Sequence, residues 1–371
     1  MRSVRNACIV FCLLLLLTAC SSDTVGKPKS SGYRFRNTIP QSRSHAVSGM
    51  GLVDGSFLYQ VLDTGKSSYY LLDIASGSVR ELGTVTNFDM DTGAEAFFGG
   101  SLYFYVTVQE ADGCFCNVLY AWDTDASEIE KVSEDRLSVP LLSLYAVPEG
   151  VLALKANEEW NTYFEMVISG EGPCSTVLLE APPEETYVAA DVFEDHLYVF
   201  VFEKSAPSPE SYRYFIRKIS LKDYSEVAVF DLESVRPYIE NSRIGRMEVL
   251  GDYLFFENHS NVGLICRMQG DGVTKITEER DLVPAKTFSG READREFFYI
   301  RRTCDMLLFD RASGELKPIS LTLPKNEKIQ VVFSDGNWAA IKAKTYSDLK
   351  ILRPMEKIYS YESHKLTEML S

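Results

Sequence analysis

The chain has few of the residues that build hydrolytic active sites. It has four histidines, and none lies in a metal-spaced pair or near a Gly-x-Ser-x-Gly elbow. It also has no Gly-x-x-x-x-Gly-Lys loop, which would cradle a nucleotide phosphate. The sequence therefore disfavours serine hydrolases, zinc hydrolases and P-loop nucleotide-binding enzymes.

Basic residues are also few compared with acidic ones. The 371 residues include 38 Lys and Arg against 53 Asp and Glu, which gives a net charge of −15. Nucleic acids and anionic lipid headgroups are bound by clustered Lys and Arg side chains. Because a strongly acidic protein repels both, we expect no nucleic-acid partner.

The apolar run near the start of the chain is too short to span a membrane. Residues 7–17 make eleven apolar residues, and a helix needs about 20 to cross a bilayer. Arg2 and Arg5 precede this run without any acidic residue, and the small pair Thr18-Ala19 follows it. This order is typical of a secretory signal peptide, predicted here over residues 1–19.

The tetrapeptide Leu17-Thr18-Ala19-Cys20 resembles the bacterial lipobox. In that motif the cysteine sulfur takes a diacylglyceryl group and the signal is cut before it, so the resemblance implies lipidation of Cys20. Each buried methylene contributes ~0.8 kcal/mol, and two or more acyl chains make the attachment stable. The resemblance thus implies a lipid-anchored membrane protein on the extracytoplasmic side, at the cell surface or in the periplasm.

Residues 20–37 are predicted to be a flexible tether, because the segment after Cys20 is rich in Ser, Gly and Pro. Removal of the signal takes Arg2 and Arg5 and no acid, which leaves 36 Lys and Arg against 53 Asp and Glu and a net charge of −17. The tether itself is locally basic, so it would lie beside anionic lipid. Its basic residues are Lys27, Lys29, Arg34 and Arg36.

The cysteines predict neither a disulfide framework nor a metal site. Five remain after the signal and Cys20 are set aside, and their number is odd and their spacing irregular. They are Cys114, Cys116, Cys174, Cys266 and Cys304. One intervening residue between Cys114 and Cys116 is too few for a zinc knuckle. We expect buried or loop thiols, with a single bridge between Cys266 and Cys304 as the alternative.

A repeated unit runs through residues 38–371. Each copy has a tight polar turn followed by an aromatic-rich apolar run, then a second apolar strand, a polar turn and a shorter strand. The second turn residues are spaced by 45, 50, 45, 57, 43 and 41 positions, at Gly55, Gly100, Gly150, Asp195, Asp252, Arg295 and Gly336. Each copy is therefore predicted to be a four-stranded antiparallel meander.

Four strands in a period of 41 to 57 residues are typical of a β-propeller blade. Residues 197–202 and 297–300 are apolar on both faces, whereas a sheet wetted on one face alternates polar and apolar residues. We predict an all-β, seven-bladed β-propeller of four-stranded antiparallel blades, with one domain over residues 38–371. A strand at 33–39 would latch the last blade. A β-sandwich or a set of small β-domains is the alternative.

The copy that begins at Gly251-Asp252 and continues with Tyr-Leu-Phe-Phe resembles known propeller blades. Together with residues 263–277 it looks like the repeat of bacterial extracytoplasmic propellers akin to TolB, and like YWTD blades of the low-density-lipoprotein-receptor type. The resemblance covers this copy well and the other six loosely. It implies binding of a protein or ligand on one face of a ring, and many members of these families have no assigned activity.

Two acidic segments place oxygen atoms at alternate positions, as calcium loops do. They are residues 89–93 (Asp-x-Asp-x-Gly) and 123–127 (Asp-x-Asp-x-Ser). Both lack the distal bidentate glutamate, and ordinary Asp-rich turns capped by their own side chains share the pattern. We expect no cofactor, with Ca²⁺ at these segments as the alternative.

The ligand-binding residues are predicted at one end of the meanders, where the longer connections lie between second and third strands. Binding residues concentrate on such loops. Trp160 stands out because Trp, Tyr and Arg dominate interface energetics, although its ring could also fold back onto its own strands. The candidate binding residues are Glu159, Trp160, Asn161, Asn258, His259, Arg301 and Arg302.

These features together predict a non-enzymatic binding module for a protein, a peptide or an envelope glycan. A carbohydrate-active enzyme is one alternative. It would need two opposed carboxylates, and 53 acidic residues leave that possibility open. A scaffold subunit of an envelope assembly complex is another alternative, since it shares every sequence feature of the binding module.

Overall fold

A computed structural model describes a large part of the chain. The described residues are 46–53, 56–73, 78–113, 115–136, 141–157, 159–203, 212–239, 244–258, 262–280, 282–284, 297–302, 305–319, 331–334, 338–342, 359–362 and 365–368. The predicted signal peptide, Cys20, the tether and the latch strand at 33–39 all lie outside them.

The described residues are almost all in β-strands. The strands are β1 (Ala46–Val53), β2 (Ser56–Asp63), β3 (Lys66–Asp73), β4 (Val79–Thr86), β5 (Phe88–Phe98), β6 (Ser101–Gln109), β7 (Phe115–Asp123), β8 (Glu130–Arg136), β9 (Leu141–Val147), β10 (Gly150–Ala156), β11 (Thr162–Ser169), β12 (Gly172–Glu180), β13 (Glu185–Phe193), β14 (His196–Glu203), β15 (Arg213–Ser220), β16 (Glu226–Asp231), β17 (Ile244–Leu250), β18 (Tyr253–Asn258), β19 (Val262–Gln269), β20 (Gly272–Arg280), β21 (Leu282–Pro284), β22 (Phe297–Arg302), β23 (Asp305–Asp310), β24 (Glu315–Ile319), β25 (Val331–Ser334), β26 (Trp338–Lys342), β27 (Tyr359–Glu362) and β28 (Lys365–Glu368).

One short helical segment interrupts this pattern. A 3-10 turn at Glu233–Val235 continues into helix α1 (Arg236–Ile239), between β16 and β17. Val235 and Ile239 are buried, so packing against the sheets stabilises a helix too short to be stable alone. In the described part of the chain, no helix has the length and apolar composition that crossing a membrane requires.

Every four consecutive strands pair as an antiparallel meander in chain order. We call these groups meanders 1 to 7, from β1–β4 through β25–β28. A single parallel pair, Asp231 with Gly272, joins β16 to β20 and so links meanders 4 and 5. The predicted unit of four antiparallel strands is confirmed wherever the structure describes it.

The predicted polar turns join the first strand of a meander to the second. Gly99 and Gly100 connect β5 to β6 with φ angles of +59° and +85°. Glycine takes positive φ without steric cost, and tight hairpins demand it. The hairpin is therefore fixed locally, by residues adjacent in the chain.

Both faces of the inner meanders are buried, because each meander packs against the next. On β6, Phe104 joins a core cluster with Tyr69 of meander 1, while its neighbour Tyr105 joins a cluster with Leu144 of meander 3. Further clusters join meanders 3 and 4 and meanders 4, 5 and 6. Burial of one such side chain contributes roughly 1.5–3 kcal/mol, so an uncovered face would be costly.

The first strands of neighbouring meanders lie side by side. The Tyr145 hydroxyl on β9 accepts a hydrogen bond from the Ala190 backbone N–H on β13 at 3.1 Å. Asp191 Oδ2 on β13 accepts one from the Val249 backbone N–H on β17 at 2.7 Å. The first and last meanders also meet, since β1 contacts β25. Face-to-face meanders around shared first strands define a β-propeller fold, and the β-sandwich alternative is wrong.

Candidate functional site

The connections predicted to carry binding residues do join second to third strands. They are residues 110–114, 157–161, 204–212, 259–261 and 303–304. In a meander these connections lie at the same end as the links from one meander to the next. We call this the long-loop end.

The structure places some of the predicted binding residues here by backbone position alone. Asn258 ends β18, opposite Ile244. Arg301 and Arg302 end β22, opposite Val283 and Leu282. His259 and the side chains of Asn258, Arg301 and Arg302 lie outside the described residues, so their role stays a prediction.

Trp160 lies in a turn between β10 and β11 that its own hydrogen bonds hold. We call residues 157 and 159–161 the Trp160 turn; Glu158 lies outside the described residues. Asn157 Oδ1 accepts from the backbone N–H groups of Glu159 and Asn161, at 2.9 and 3.0 Å. The Asn157 carbonyl accepts from Trp160 N–H, and Asn157 N–H donates to the Asn161 carbonyl, both at 2.9 Å. One asparagine thus organises the whole turn.

The indole of Trp160 faces solvent. The residue is 65% exposed, whereas Trp122 in the core is 1% exposed. It does not fold back onto its strands, which was the alternative left open by the sequence. Its φ is +66°, a conformation that is an outlier for a bulky residue. Local strain of this kind costs of order 1–3 kcal/mol and clusters at functional sites.

Polar side chains flank the indole. Glu159 and Asn161 are both exposed. Asn161 Nδ2 donates to Glu159 Oε2 over 3.4 Å, which is long for a hydrogen bond. The carboxylate and the carboxamide therefore keep most of their hydrogen-bonding capacity for a ligand.

The base of the Trp160 turn is tied to meander 2 by Lys155, which lies at the end of β10. Lys155 Nζ is 2.7 Å from Asp135 Oδ2 on β8 and 3.0 Å from Glu165 Oε2 on β11. The Tyr105 hydroxyl donates to Asp135 Oδ2 at 3.4 Å, and the Ser175 hydroxyl donates to Glu165 at 2.6 Å. The Lys155 and Glu165 side chains are only 13% and 10% exposed, so this pair is shielded from water, whereas Asp135 is 42% exposed.

Lys155 and Tyr105 keep their protonation states around neutral pH. Burial alone would lower the pKa of Lys155, but the hydrogen bonds and negative charges of Asp135 and Glu165 raise it above its usual value. Burial, together with the charges of Asp135 and Glu165, raises the pKa of Tyr105. Lys155 therefore stays a cation and Tyr105 a neutral phenol. A protonated lysine is not a nucleophile, so Lys155 acts here by positioning the turn.

The other side of the base is tied to meander 4. Thr162 begins β11 and is buried. Its hydroxyl oxygen accepts a hydrogen bond of 2.7 Å from the backbone N–H of Tyr187 on β13. The Trp160 turn is thus held from both neighbouring meanders, through Lys155 on one side and Thr162 on the other.

Comparison with known proteins gives no family for the chain. No protein-family model matches it, and no curated protein matches it. Solved structures of low identity do match. The β-propeller domain of Cps50 (Swd1) from Myceliophteria thermophila is 13% identical, with a TM-score of 0.48 over 78% of this chain and 91% of that chain.

Two bacterial structures also match. A putative 6-phosphogluconolactonase from Bacteroides uniformis is 11% identical, with a TM-score of 0.48 over 88% of this chain and 95% of that chain. A functionally unknown protein from Desulfotomaculum acetoxidans is 13% identical, with a TM-score of 0.49 over 88% of this chain and 97% of that chain. No activity is transferred from these proteins to this chain.

Sequence reasoning missed Lys155, Glu165 and Thr162, which position the turn. A signal for one of them was present, because Lys155 lies in the otherwise apolar strand β10 (GVLALKA). A lysine in a buried strand is almost never unpaired. The identity of its partner Asp135, on another meander, could not be found from that strand alone.

One group of side chains in the described residues has the geometry of a metal site, although the sequence predicted none. Glu110, Cys116 and Glu134 each bring a ligand atom within 4.8 Å of the others. A thiolate and two carboxylates could hold a divalent ion such as Zn²⁺. Lys131 already forms an ion pair with Glu134, and this cation would have to be displaced.

One of the two candidate calcium segments, residues 123–127, is described in full at side-chain level. Asp123 Oδ1 accepts a hydrogen bond of 2.9 Å from the backbone N–H of Asp125, as in a self-capped Asp turn. The side chain of Asp91 lies outside the described residues, so calcium at residues 89–93 stays a prediction. Cys266 is a buried free thiol, and the bridge to Cys304 is not formed.

Proposed function

We propose that this chain is a membrane-anchored extracytoplasmic binding module, which takes a protein, peptide or envelope glycan at its long-loop end. The observation that carries the proposal is the exposed indole of Trp160 on a turn held by two neighbouring meanders. Exposing this ring and placing it at positive φ both cost free energy, and a binding role would account for the cost. A rigid aromatic anchor loses little entropy when it binds.

The proposal also includes the anchor and the blade number. The lipobox resemblance supports a diacylglyceryl group on Cys20, with residues 1–19 removed and residues 20–37 as the tether. The seven copies of the repeated turn support a closed ring of seven blades. A ring leaves no long open sheet edges, which suits a protein that works outside the cell.

The binding role is tested by cross-linking in intact cell envelopes that carry the wild type, Trp160→Ala or Phe115→Ala. Phe115 is 43% exposed at the start of β7 in meander 2, so it is a matched aromatic control at the same end. We expect Trp160→Ala to lose a cross-linked species that the wild type and Phe115→Ala keep. Identical species in all three would contradict the role of Trp160.

The anchor and the enzyme alternative have their own tests. Cys20→Ser is expected to move the protein from the membrane fraction to the soluble fraction. Retention of this variant in the membrane would contradict lipidation as the anchor. A screen of envelope glycans with the wild type is expected to show no hydrolysis, and turnover would favour the carbohydrate-active enzyme instead.

A further inference from the structure

We propose that the ligand of the Trp160 turn is an uncharged saccharide, stacked with the apolar face of a pyranose ring on the indole. This inference rests on the proposed function, because it names the ligand class of the same surface. The ligand class follows from three properties of the turn: an exposed aromatic ring, two adjacent polar side chains and the isolation of the ring within its meander.

The ring is exposed on a backbone that is held in place. Trp160 is 65% exposed, and the backbone around it is held by the four hydrogen bonds of Asn157. The C–H groups on one face of a pyranose carry partial positive charge, and the face of an aromatic ring carries negative charge. An accessible indole on a held backbone therefore suits a sugar ring without the cost of ordering a loop.

The polar neighbours match the edge of a sugar. A carboxylate accepts hydrogen bonds only, whereas a carboxamide both donates and accepts. Glu159 and Asn161, which flank Trp160 in the chain, supply one of each, with Oε2 and Nδ2 3.4 Å apart. Two adjacent hydroxyl groups of a saccharide can donate to the first and accept from the second.

Within its own meander the aromatic group is isolated, which favours a small ligand over a protein. In the described part of meander 3, the other exposed large apolar residue is Val177, on the fourth strand β12. A stable protein interface buries about 800 Å² per partner around a dry centre. A single indole, with the polar residues Asn157, Glu159 and Asn161 as its neighbours in the turn, does not offer such a centre. It is large enough for one sugar ring.

The negative charge of the turn and of the chain determines which class of sugar can bind. Glu159 precedes Trp160 in the turn and is exposed, and the whole chain has a net charge of −15. A uronic acid or a phosphorylated sugar would meet like charge at short range, where salt screens least. The subsite therefore selects uncharged hexoses or N-acetylated hexosamines.

The test uses the full chain in a detergent without sugar headgroups, titrated with neutral oligosaccharides of glucose and of N-acetylglucosamine. Indole N–H resonances report the binding, because the chain has three tryptophans and Trp122 is buried in the core. We expect the Trp160 resonance to shift with sugar. Trp160→Ala should bind about tenfold more weakly or worse, Trp160→Phe should retain most binding, and Phe115→Ala should bind as the wild type does.

A stability control separates loss of the ring from loss of the fold. Asparagine tolerates positive φ better than tryptophan, so Trp160→Asn should unfold at the same temperature as the wild type or higher. It should nevertheless lose saccharide binding. A variant that is stable and does not bind supports the subsite directly, whereas full binding by Trp160→Asn would overturn it.

Two results distinguish this inference from the function on which it rests. If no neutral oligosaccharide shifts the Trp160 resonance while Trp160-dependent cross-linking to a protein persists, the saccharide inference is wrong and the binding role stands. If neither sugar binding nor Trp160-dependent cross-linking is found, both are wrong.

Discussion

Lys155 of β10 and Asp135 of β8 form an ion pair of 2.7 Å that joins meander 3 to meander 2 at the base of the Trp160 turn. The same ammonium group contacts Glu165 at 3.0 Å within meander 3. Two carboxylates share one cation, and of the two Glu165 is shielded from water whereas Asp135 is partly exposed. The ion pair therefore stabilises the packing of the two meanders. It also helps to position the Trp160 turn, because Trp160 follows Lys155 by five residues.

Replacing Lys155 with Met should destabilise the fold. The change leaves the shielded carboxylate of Glu165 without its cation, which costs about 2–3 kcal/mol. Lys131→Met is the control. Lys131 and its partner Glu134 both lie on β8 and are about half-exposed, and such exposed pairs contribute roughly 0–1 kcal/mol. Chemical denaturation measures both. Equal losses in the two variants would contradict the shielded pair.

Replacing Thr162 with Ala should remove the link from the Trp160 turn to meander 4. The buried backbone N–H of Tyr187 would lose its acceptor at 2.7 Å, at a cost of about 1–3 kcal/mol. Thr162→Ser keeps the hydroxyl and should lose about half of this or less. Hydrogen exchange at the Tyr187 amide gives a local reading. Unchanged protection in Thr162→Ala would rule out the bond.

Tyr145 should make stability depend on alkaline pH. Burial raises the pKa of Tyr145 from 10.0 to about 12, although hydrogen bonds from Ser143 and Ala190 lower it in part. A raised folded-state pKa means that the stabilisation is complete below pH 10.0 and is lost as the pH rises through about 12.

Tyr145→Phe tests this prediction by difference. At pH 7 the variant leaves the Ala190 N–H without its acceptor and should be less stable by about 1–2 kcal/mol. That difference should shrink between pH 10 and 12, because Phe does not ionise. Denaturation midpoints at several pH values measure it. A difference that stays constant over this interval would contradict the assigned pKa.

Gly150 should not accept a side chain. A Cβ atom there would lie 1.9 Å from the Ile168 carbonyl oxygen, where strand β10 pairs with β11. Gly150→Ala should therefore cost more than about 3 kcal/mol. Gly170 in the β11–β12 turn has nothing within 4 Å of its Cβ position, and Gly170→Ala should change stability by less than about 0.5 kcal/mol. Thermal unfolding of the two variants measures both changes, and equal losses of stability would contradict the close contact at Gly150.

The meanders themselves could be predicted from the sequence, because they depend on residues close together in the chain. Gly99 and Gly100 supply the positive φ angles of the β5–β6 turn, and the apolar run that follows supplies the strand. Residues 197–202 are apolar at adjacent positions, which already indicated that two faces would be covered. The sequence also marked the connection that holds Trp160 as a binding loop.

The helix between β16 and β17 could not be predicted in the same way. Its four residues, Arg236–Ile239, form too short a segment to have a helical period of their own. Only the packing of Ile239 in a core cluster with Phe256 and other residues of meanders 4, 5 and 6 stabilises the helix.

The sequence alone determined the repeat, the order of strands within each meander and the acidic charge, since each follows from local pattern or from counting. Tertiary structure alone decided that Trp160 faces solvent, that Lys155 meets Asp135 20 residues before it and that Thr162 meets Tyr187 25 residues after it. These contacts cross from one meander to another. Which residues meet depends on how whole sheets pack against each other. The sequence pattern of a single strand carries no information about that packing.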